Sequence, residues 1–325
     1  MTQTRERWIG RIRFLLERAG FYVADAHGVR PSSFDLAARR DATLLLVKVL
    51  KNIDAFDSEE ASRLRELGRL FPATVLVVGQ TSGASELDVG VVYTRYGVPI
   101  VNEETLQDFL EKALPPFLYA SPGGTFARVD GERLRELRAE RGLSLGTLAS
   151  IAGVSRRAIQ LYEDGAGAEI TVIDRIERYL GEPIVRPVDL FEAPVEALPA
   201  RTPGKDVAAP EVRRPSSGDP WRDGILDQLD VMGLDVTLTS RAPFDALART
   251  PDVLLAAIGS LRMALHRAEV LHGLARVAEG HAMFVVRENI HRASISGLPI
   301  LNASELRRQR DADELLEEIS EREGP

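Results

Sequence analysis

Seven arginines (Arg128, Arg133, Arg135, Arg138, Arg141, Arg156 and Arg157) fall between Arg128 and Tyr162 against four acids (Asp130, Glu132, Glu136 and Glu140), a local balance of +3 in a chain of net charge −8. A surplus of guanidinium groups offers contact with polyanions, so this stretch can meet nucleic-acid phosphates. The acidic remainder excludes a chain that coats nucleic acid indiscriminately. Other chemistries are poorly supplied. The chain has no cysteine, which removes disulfides, thiolate metal sites and cysteine nucleophiles. Its five histidines (His27, His266, His272, His281 and His291) are scattered, and His266 and His272 are six apart rather than four, so no metal site is expected. Neither a G-x-x-x-x-G-K-[ST] phosphate loop nor a G-x-S-x-G nucleophile turn occurs, and SPGGTF at 121–126 reads as a hinge. No cofactor is expected.

The elements around the arginines decide how they are presented. In the segment from Gly131 to Gly165, Leu134, Leu137, Leu148, Ile151, Ile159 and Tyr162 recur at helical spacing and predict the inward face of three short helices. Ser144 is placed to cap the second helix and Ser155 the third, SRRAIQLYE. Ala149 is small where two helices must cross, and Gly153 falls at a tight turn where a positive φ is cheap without a Cβ. The spacing of Ala149, Gly153, Val154 and Ile159 brings the second and third helices together at a steep angle, the geometry that presents a third helix to a DNA major groove.

A length of 325 residues, 44% apolar and 28% charged, suits two or three globular domains. The charged, helical N-terminus and the lack of any apolar run long enough to span a bilayer predict a soluble, cytoplasmic protein with no membrane partner. Residues 1–120 alternate helical and strand patterns, with the buried-looking runs LLLVKVL and VLVVG, and read as an α/β domain. Residues 125–192 read as helical, with almost no strand signal. Six prolines between Pro194 and Pro220 mark 193–220 as a tether. Residues 221–325 look like a worn copy of the first block: FDALARTPDVLLAAI answers FDLAARRDATLLLVK, HAMFVVREN falls where TVLVVGQT did, and LPILNASEL matches VPIVNEETL. The tail ELRRQRDADELLEEISEREG reads as a solvated helix.

The middle segment, with its L-R-x-x-R-G-L-S, L-A, G-V-S-R-R-x-I and Y-E-x-G fragments, resembles the Cro and phage-repressor (XRE-like) helix-turn-helix domains. The resemblance implies that Ser155, Arg156 and Arg157 open a recognition helix touching base edges and phosphates, with Gln160 one turn later and Ser144 and Thr147 on the preceding helix as further DNA contacts. An arginine fork pairs with guanine O6 and N7 and discriminates by about 1–3 kcal/mol. Arg138 and Glu163 match a family ion pair of architectural role, beside the structural positions Ala149, Gly153, Val154 and Ile159. This chain departs from the pattern in three places. Leu145 replaces a phosphate-binding glutamine of many relatives, while Asp164 and the segment AGAEI lack the basic residues often found after the recognition helix.

The first block also resembles the restriction-endonuclease-like fold. The whole is then a multidomain α/β plus all-α chain, in which two such α/β domains, the second a diverged copy, flank a lambda-repressor-like helical domain. In active members of that fold an Asp and an acid two residues before a Lys hold a divalent metal. Asp35 and Lys48 stand where that Asp and Lys belong, but Leu46 stands at the second ligand position. Leucine offers a hard cation no lone pair, so loss of nuclease activity is expected. Asp35 then caps neighbouring backbone, and Lys48 is a residual phosphate contact or a snorkelling edge residue. In the second copy Asp245 survives, with Ala256 and Ile258 read at the other two positions. The order of the three blocks resembles a family of archaeal helix-turn-helix transcriptional regulators. That implies promoter binding to double-stranded DNA as a homodimer, with the flanking domains dimerising or meeting a transcription-machinery protein. A Mg²⁺-dependent structure-specific or restriction-type nuclease, and a non-DNA interaction protein, are the rival readings.

Overall fold

The computed structural model describes residues 2–26, 28–29, 32–121, 123–191, 217–249, 253–290 and 292–323. The tether expected at 193–220 falls outside them up to residue 216, as do His27 and His291. The first stretch forms α1 (Thr2–Arg18), β1 (Tyr22–Asp25), β2 (Leu36–Arg40), β3 (Thr43–Asn52), α2 (Ser58–Leu70), β4 (Thr74–Ser82), β5 (Ser85–Glu86), β6 (Val91–Arg95), β7 (Val98–Val101) and α3 (Glu103–Lys112). The middle stretch forms β8 (Leu118–Ser121), β9 (Gly124–Val129), α4 (Gly131–Glu140), α5 (Leu145–Ala152), α6 (Arg156–Glu163), β10 (Gly167–Glu169), α7 (Ile170–Leu180) and β11 (Val185–Arg186). The last forms α8 (Pro220–Val231), β12 (Asp235–Leu238), β13 (Ala246–Arg249), β14 (Val253–Gly259), α9 (Leu261–Ala278), β15 (His281–Val286), β16 (Ser294–Ile295), β17 (Leu298–Asn302), α10 (Ala303–Leu306) and α11 (Ala312–Arg322). No helix among the described residues is long and apolar enough to cross a membrane.

These elements cluster into two compact units. The first joins Met1–Val49 and Ser58–Val75 to the C-terminal stretch. In it β1, β2 and β3 pair antiparallel, with Val23 opposite Ala38 and Leu36 opposite Val47. Six successive residues of β3, Leu44 to Val49, are buried, as a strand covered on both faces requires. The C-terminal strands β12, β13 and β14 repeat this antiparallel pattern, with Val236 opposite Ala248 and Ala246 opposite Ala256. Beyond them β14, β15 and β17 run parallel, and β16 closes antiparallel on β17. Helix α9 also packs on β1. A Cβ added at Gly273 would lie 3.3 Å from the Ala24 Cβ, Arg276 stacks 4.6 Å from the Tyr22 ring centroid, and Arg39 pairs with Glu279 at 3.0 Å.

Two expectations are corrected here. The tail is not a solvated helix: α10 and α11 bury Leu306, Leu315 and Ile319 in the same core as Leu226, Leu229 and Leu254. Pro220 does not belong to the tether but opens α8, where the missing N–H has no intrahelical partner to lose, and Asp219 caps the helix by accepting from the Trp221 N–H at 3.0 Å.

The second unit joins Leu50–Asp57 to the chain from Leu76 to the end of the middle stretch. Here β4 and β7 are parallel and β6 is antiparallel to β7, the same arrangement as β15, β17 and β16. The sheet continues from β6 through parallel β8 to antiparallel β9, whose other edge takes β10 and β11. The region expected to be nearly free of strands, 125–192, therefore carries three, β9, β10 and β11, with β8 pairing just ahead of it. SPGGTF is not a hinge: Ser121 lies opposite Gly124 in the β8–β9 hairpin. The strands were hard to read because each is short and two of them, β10 and β11, pair only with β9. Helices α4 to α7 close over this sheet on a core of Ala127, Val129, Leu134, Leu137, Leu148, Ile159, Ile173 and Ile176; Tyr162 is half-buried against it.

Candidate nucleic-acid interface

The turn between α5 and α6 is built from caps. Ser144 accepts from the Thr147 N–H at 3.0 Å and its hydroxyl meets the Thr147 hydroxyl at 2.8 Å, so both polar groups sit on the first turn of α5. Gly153 ends α5 in the left-handed region (φ 70°), donating its N–H to the Ala149 carbonyl, and Val154 does the same at 3.0 Å. Ser155 then caps α6, accepting from the Ala158 N–H at 3.1 Å. Ala149 and Ile159 are buried between the two helices. With Ile159 held inward, the helical period turns Arg156, Arg157 and Gln160 outward, and all three are exposed. Neither Arg156 nor Arg157 makes an ion pair among the described residues. Their guanidinium groups are therefore available to an anion at the N-terminal end of α6, where the helix dipole adds to the attraction.

What holds α6 in place is a buried ion pair. Arg138 of α4 donates from Nε and Nη2 to Glu163, the latter bond 3.1 Å, and from Nη1 to the Leu143 carbonyl at 3.0 Å. Glu163 is buried, and its hydrogen bonds hold the Arg138 guanidinium well above its ordinary pKa. Arg135 joins from the rim, 3.5 Å from Glu163 and 3.3 Å from Asp164. Leu145 is half-buried against the core.

Gly131 explains how close the two helices run. A Cβ there would meet the Glu163 carbonyl oxygen at 2.3 Å and the Tyr162 oxygen at 2.7 Å, both backbone atoms with nowhere to go. Gly131→Ala should thus destabilise this region by about 1–3 kcal/mol through overpacking, although Ala ordinarily gains nearly 1 kcal/mol over Gly in a helix. Chemical denaturation of the two proteins checks the sign.

Asp130 caps α4, accepting from the Arg133 N–H at 3.2 Å and from Arg186 at 2.9 Å, and the Arg186 bond holds its carboxyl below the usual carboxylate range. A carboxyl with a lowered folded pKa contributes stability above its unfolded pKa of about 3.9 and loses it as pH falls through the folded value. Asp130→Ala is expected to lower stability at pH 7 by about 1 kcal/mol, with the difference vanishing in urea titrations below the folded pKa.

The α/β segments place the other candidate residues. Asp35 is buried and fully engaged: Arg5 of α1 donates to both of its oxygens at 2.8 Å, and the Val49 N–H donates to Oδ2 at 2.8 Å. The same arginine reaches the Val49 carbonyl at 3.1 Å. Asp245 stands in a matching network: Arg222 of α8 pairs with it and reaches the Ile258 carbonyl at 3.4 Å, while the Ile258 N–H donates to it at 2.7 Å. Ile258 is therefore the counterpart of Val49. The reading that put Ala256 and Ile258 at the metal-site positions is off by one residue, because the β13–β14 connection differs by one in length; Leu255 answers Leu46 and Ala257 answers Lys48. Lys48 is not an edge residue. It is buried and pairs with Glu60 of α2 at 3.0 Å while donating to the Ser32 carbonyl at 3.0 Å. A divalent cation would need oxygen ligands here. Asp35 has given its oxygens to Arg5 and Val49, Leu46 is apolar and buried, and Lys48 is held by Glu60, so these residues do not fit a metal. Among the described residues no group of three or more acids and histidines could hold one either.

A family model for the PD-(D/E)XK superfamily domain matches residues 5–115, and one for a helix-turn-helix domain matches residues 131–186. Three proteins, each bearing the name "Putative HTH-type transcriptional regulatory protein", align along nearly the whole chain. The protein of Halorubrum lacusprofundi is 38% identical over 325 residues, covering 98% of each chain. That of Natronomonas pharaonis is 36% identical over 323 residues, 98% of this chain and 99% of its own. That of Pyrococcus furiosus is 36% identical over 328 residues, 99% and 97%. The chain belongs to this archaeal regulatory-protein family. No solved structure matches it.

For this member of the family the structure adds a residue that sequence reading missed. Arg175 of α7 is exposed, and its Nη1 lies 2.8 Å from where a Cβ on Gly153 would stand, so a third guanidinium lies over the turn that leads into α6. Its Nε donates to the Thr171 carbonyl at 3.1 Å. The only signal in the sequence was one of two arginines, Arg175 and Arg178, on a helix whose packing face could not be assigned in advance.

Proposed function

We propose that this chain is a transcriptional regulator that binds duplex DNA sequence-specifically, as a homodimer in the cytoplasm, with α6 entering the major groove. The observation that carries the reading is the exposed pair Arg156 and Arg157, without an ion pair among the described residues, at the start of a helix fixed from behind by the Arg138–Glu163 ion pair. Arg156 and Arg157 read guanine edges or phosphates, Gln160 reads an adenine or a phosphate, and Ser144, Thr147 and Ser155 bind backbone phosphates. Arg175 adds a phosphate contact beside the turn. A few cations per subunit give weak binding alone, so two subunits must act together, and affinity falls steeply with salt.

The helix-turn-helix domain of this reading is 125–192. The flanking regions, 1–120 and 221–325, are two copies of one restriction-endonuclease-like domain that has lost hydrolysis and now serves dimerisation or contact with the transcription machinery. The matching strand pairings and the twin arginine–aspartate networks support the duplication. So do the shared P-I-x-N fragments, since Asn102 and Asn302 each accept from the third backbone N–H beyond, in Thr105 and Glu305. The nuclease reading has the PD-(D/E)XK match in its favour and the misfit of Asp35, Leu46 and Lys48 against it.

Selection of bound duplexes from a random pool, followed by footprinting, tests the proposal. The expected result is an inverted-repeat site whose half-sites are about 34 Å apart along one face of the helix. Recovery of unrelated duplexes with no shared sequence would remove the claim of specificity.

A further inference from the structure

Away from the helix-turn-helix region, the first turns of α9 carry an open groove that no part of this reading uses. It is lined by Val29, Arg262, Met263, Leu265, His266 and Arg267 and has a volume of about 530 Å³. Its floor is apolar, with Val29 buried, Met263 half-buried and Leu265 left 57% exposed. Its rim carries two guanidinium groups and an imidazole. Arg262 and His266 stand one helical turn apart on the same face, with neither a hydrogen bond nor an ion pair among the described residues, and Arg267 reaches the Pro243 carbonyl at a long 3.5 Å. Among the described residues no carboxylate lines the groove. The nearest on α9 itself is Glu269, three residues beyond His266, and Glu288 accepts from the Leu261 N–H at 2.9 Å. The helix terminus is thus already occupied, and the groove owes its character to side chains.

Place and size both suit a ligand. The groove lies on the first turns of α9, the helix that follows the carboxyl end of β14 after Ser260, and open α/β sheets receive ligands at the carboxyl ends of their parallel strands. Sites for small molecules are typically about 300–1,000 Å³, mostly apolar, with a few polar groups that fix orientation. A duplex backbone would instead favour a row of cations following its phosphates, whereas here two guanidinium groups and an imidazole share the groove with an exposed leucine. We propose that this groove binds a small organic anion, a carboxylate, phosphate or sulfonate borne on an aromatic or aliphatic body. The anionic group lies between Arg262, His266 and Arg267, and the body covers Met263 and Leu265.

The probe is 8-anilinonaphthalene-1-sulfonate, titrated into the full chain and followed by its fluorescence. One saturable site is expected. Arg262→Ala and Leu265→Asp should each weaken it by at least about tenfold, the second because it sets a carboxylate against the anion, while Arg262→Lys should lose less. Both residues are exposed, so circular dichroism should be unchanged. Unaltered dye affinity in the two variants would overturn the site. Competitive displacement of the dye by duplex DNA of unrelated sequence, in the Arg156→Ala, Arg157→Ala chain, would also overturn it by making the groove a DNA surface.

Discussion

Replacing Arg156 and Arg157 together by alanine is expected to weaken binding to the selected duplex by at least about thirtyfold while leaving the fold intact. Each bidentate contact to guanine contributes about 1–3 kcal/mol, so losing two removes roughly 2–6 kcal/mol, or a factor of about 30 to 10⁴. The fold should not change, because both side chains are exposed, neither makes an ion pair among the described residues, and the cap of α6 is the Ser155 hydroxyl. Surface substitutions of this kind usually stay within about 0.5 kcal/mol in stability. Fluorescence anisotropy at several salt concentrations separates two roles. If the arginines read bases, the loss is confined to the selected sequence. If they hold phosphates, affinity falls about equally for every duplex and the salt slope drops by about 1 per contact. Wild-type affinity in the double variant at all salts would remove α6 from the interface. Arg175→Ala, by contrast, should cost less and act only on the salt slope.

The helix-turn-helix was legible because its signals are local. Caps at Ser144 and Ser155, a left-handed glycine at 153 and the apolar spacing of Leu148 and Ile159 each depend on residues a turn or two away. Its support was less visible. Gly131 reads in sequence as a weak helix start, and only the approach of the Glu163 backbone from another helix gives it a reason. Strands β8 to β11 were missed because short strands acquire their meaning from partners distant in the chain: Ala127 on β9 faces Leu118 on one side and Ala168 on the other. The likeness of the last stretch to the first was legible in order but not in register. A one-residue difference in a strand connection moved the assignment from Leu255 and Ala257 to Ala256 and Ile258, and it is the backbone bonds of Val49 and Ile258 to their aspartates that fix the alignment. Asp35 was read as capping neighbouring backbone, and its bond from Val49 is of that kind. Its arginine partner, thirty residues earlier in α1, carried no signal.

Asp35→Ala distinguishes a former metal site from a working one. In an active nuclease the carboxylates converge on a cation, and without metal their mutual repulsion makes removing one neutral or favourable to stability. Here the carboxylate is the acceptor for a guanidinium and a buried N–H. Its loss strands the Arg5 charge and the Val49 amide together. Breaking a fully buried pair from one side costs about 3–5 kcal/mol, and because the Arg5 side chain retains 29% exposure and can recover some hydration, a smaller cost of about 2–3 kcal/mol is expected. Asp35→Asn should cost less, since an amide oxygen can still accept from Val49. Asp245→Ala should behave like Asp35→Ala, because Arg222 and Ile258 repeat the same bonds. The measurements are the urea midpoint, with chelator and with Mg²⁺, and the hydrogen-exchange rate of the Val49 amide, which should rise in Asp35→Ala and stay near wild type in Asp245→Ala. A midpoint unmoved by Asp35→Ala, together with Mg²⁺-dependent cleavage of duplex DNA by the wild-type chain that the variant lacks, would return the first domain to the nucleases.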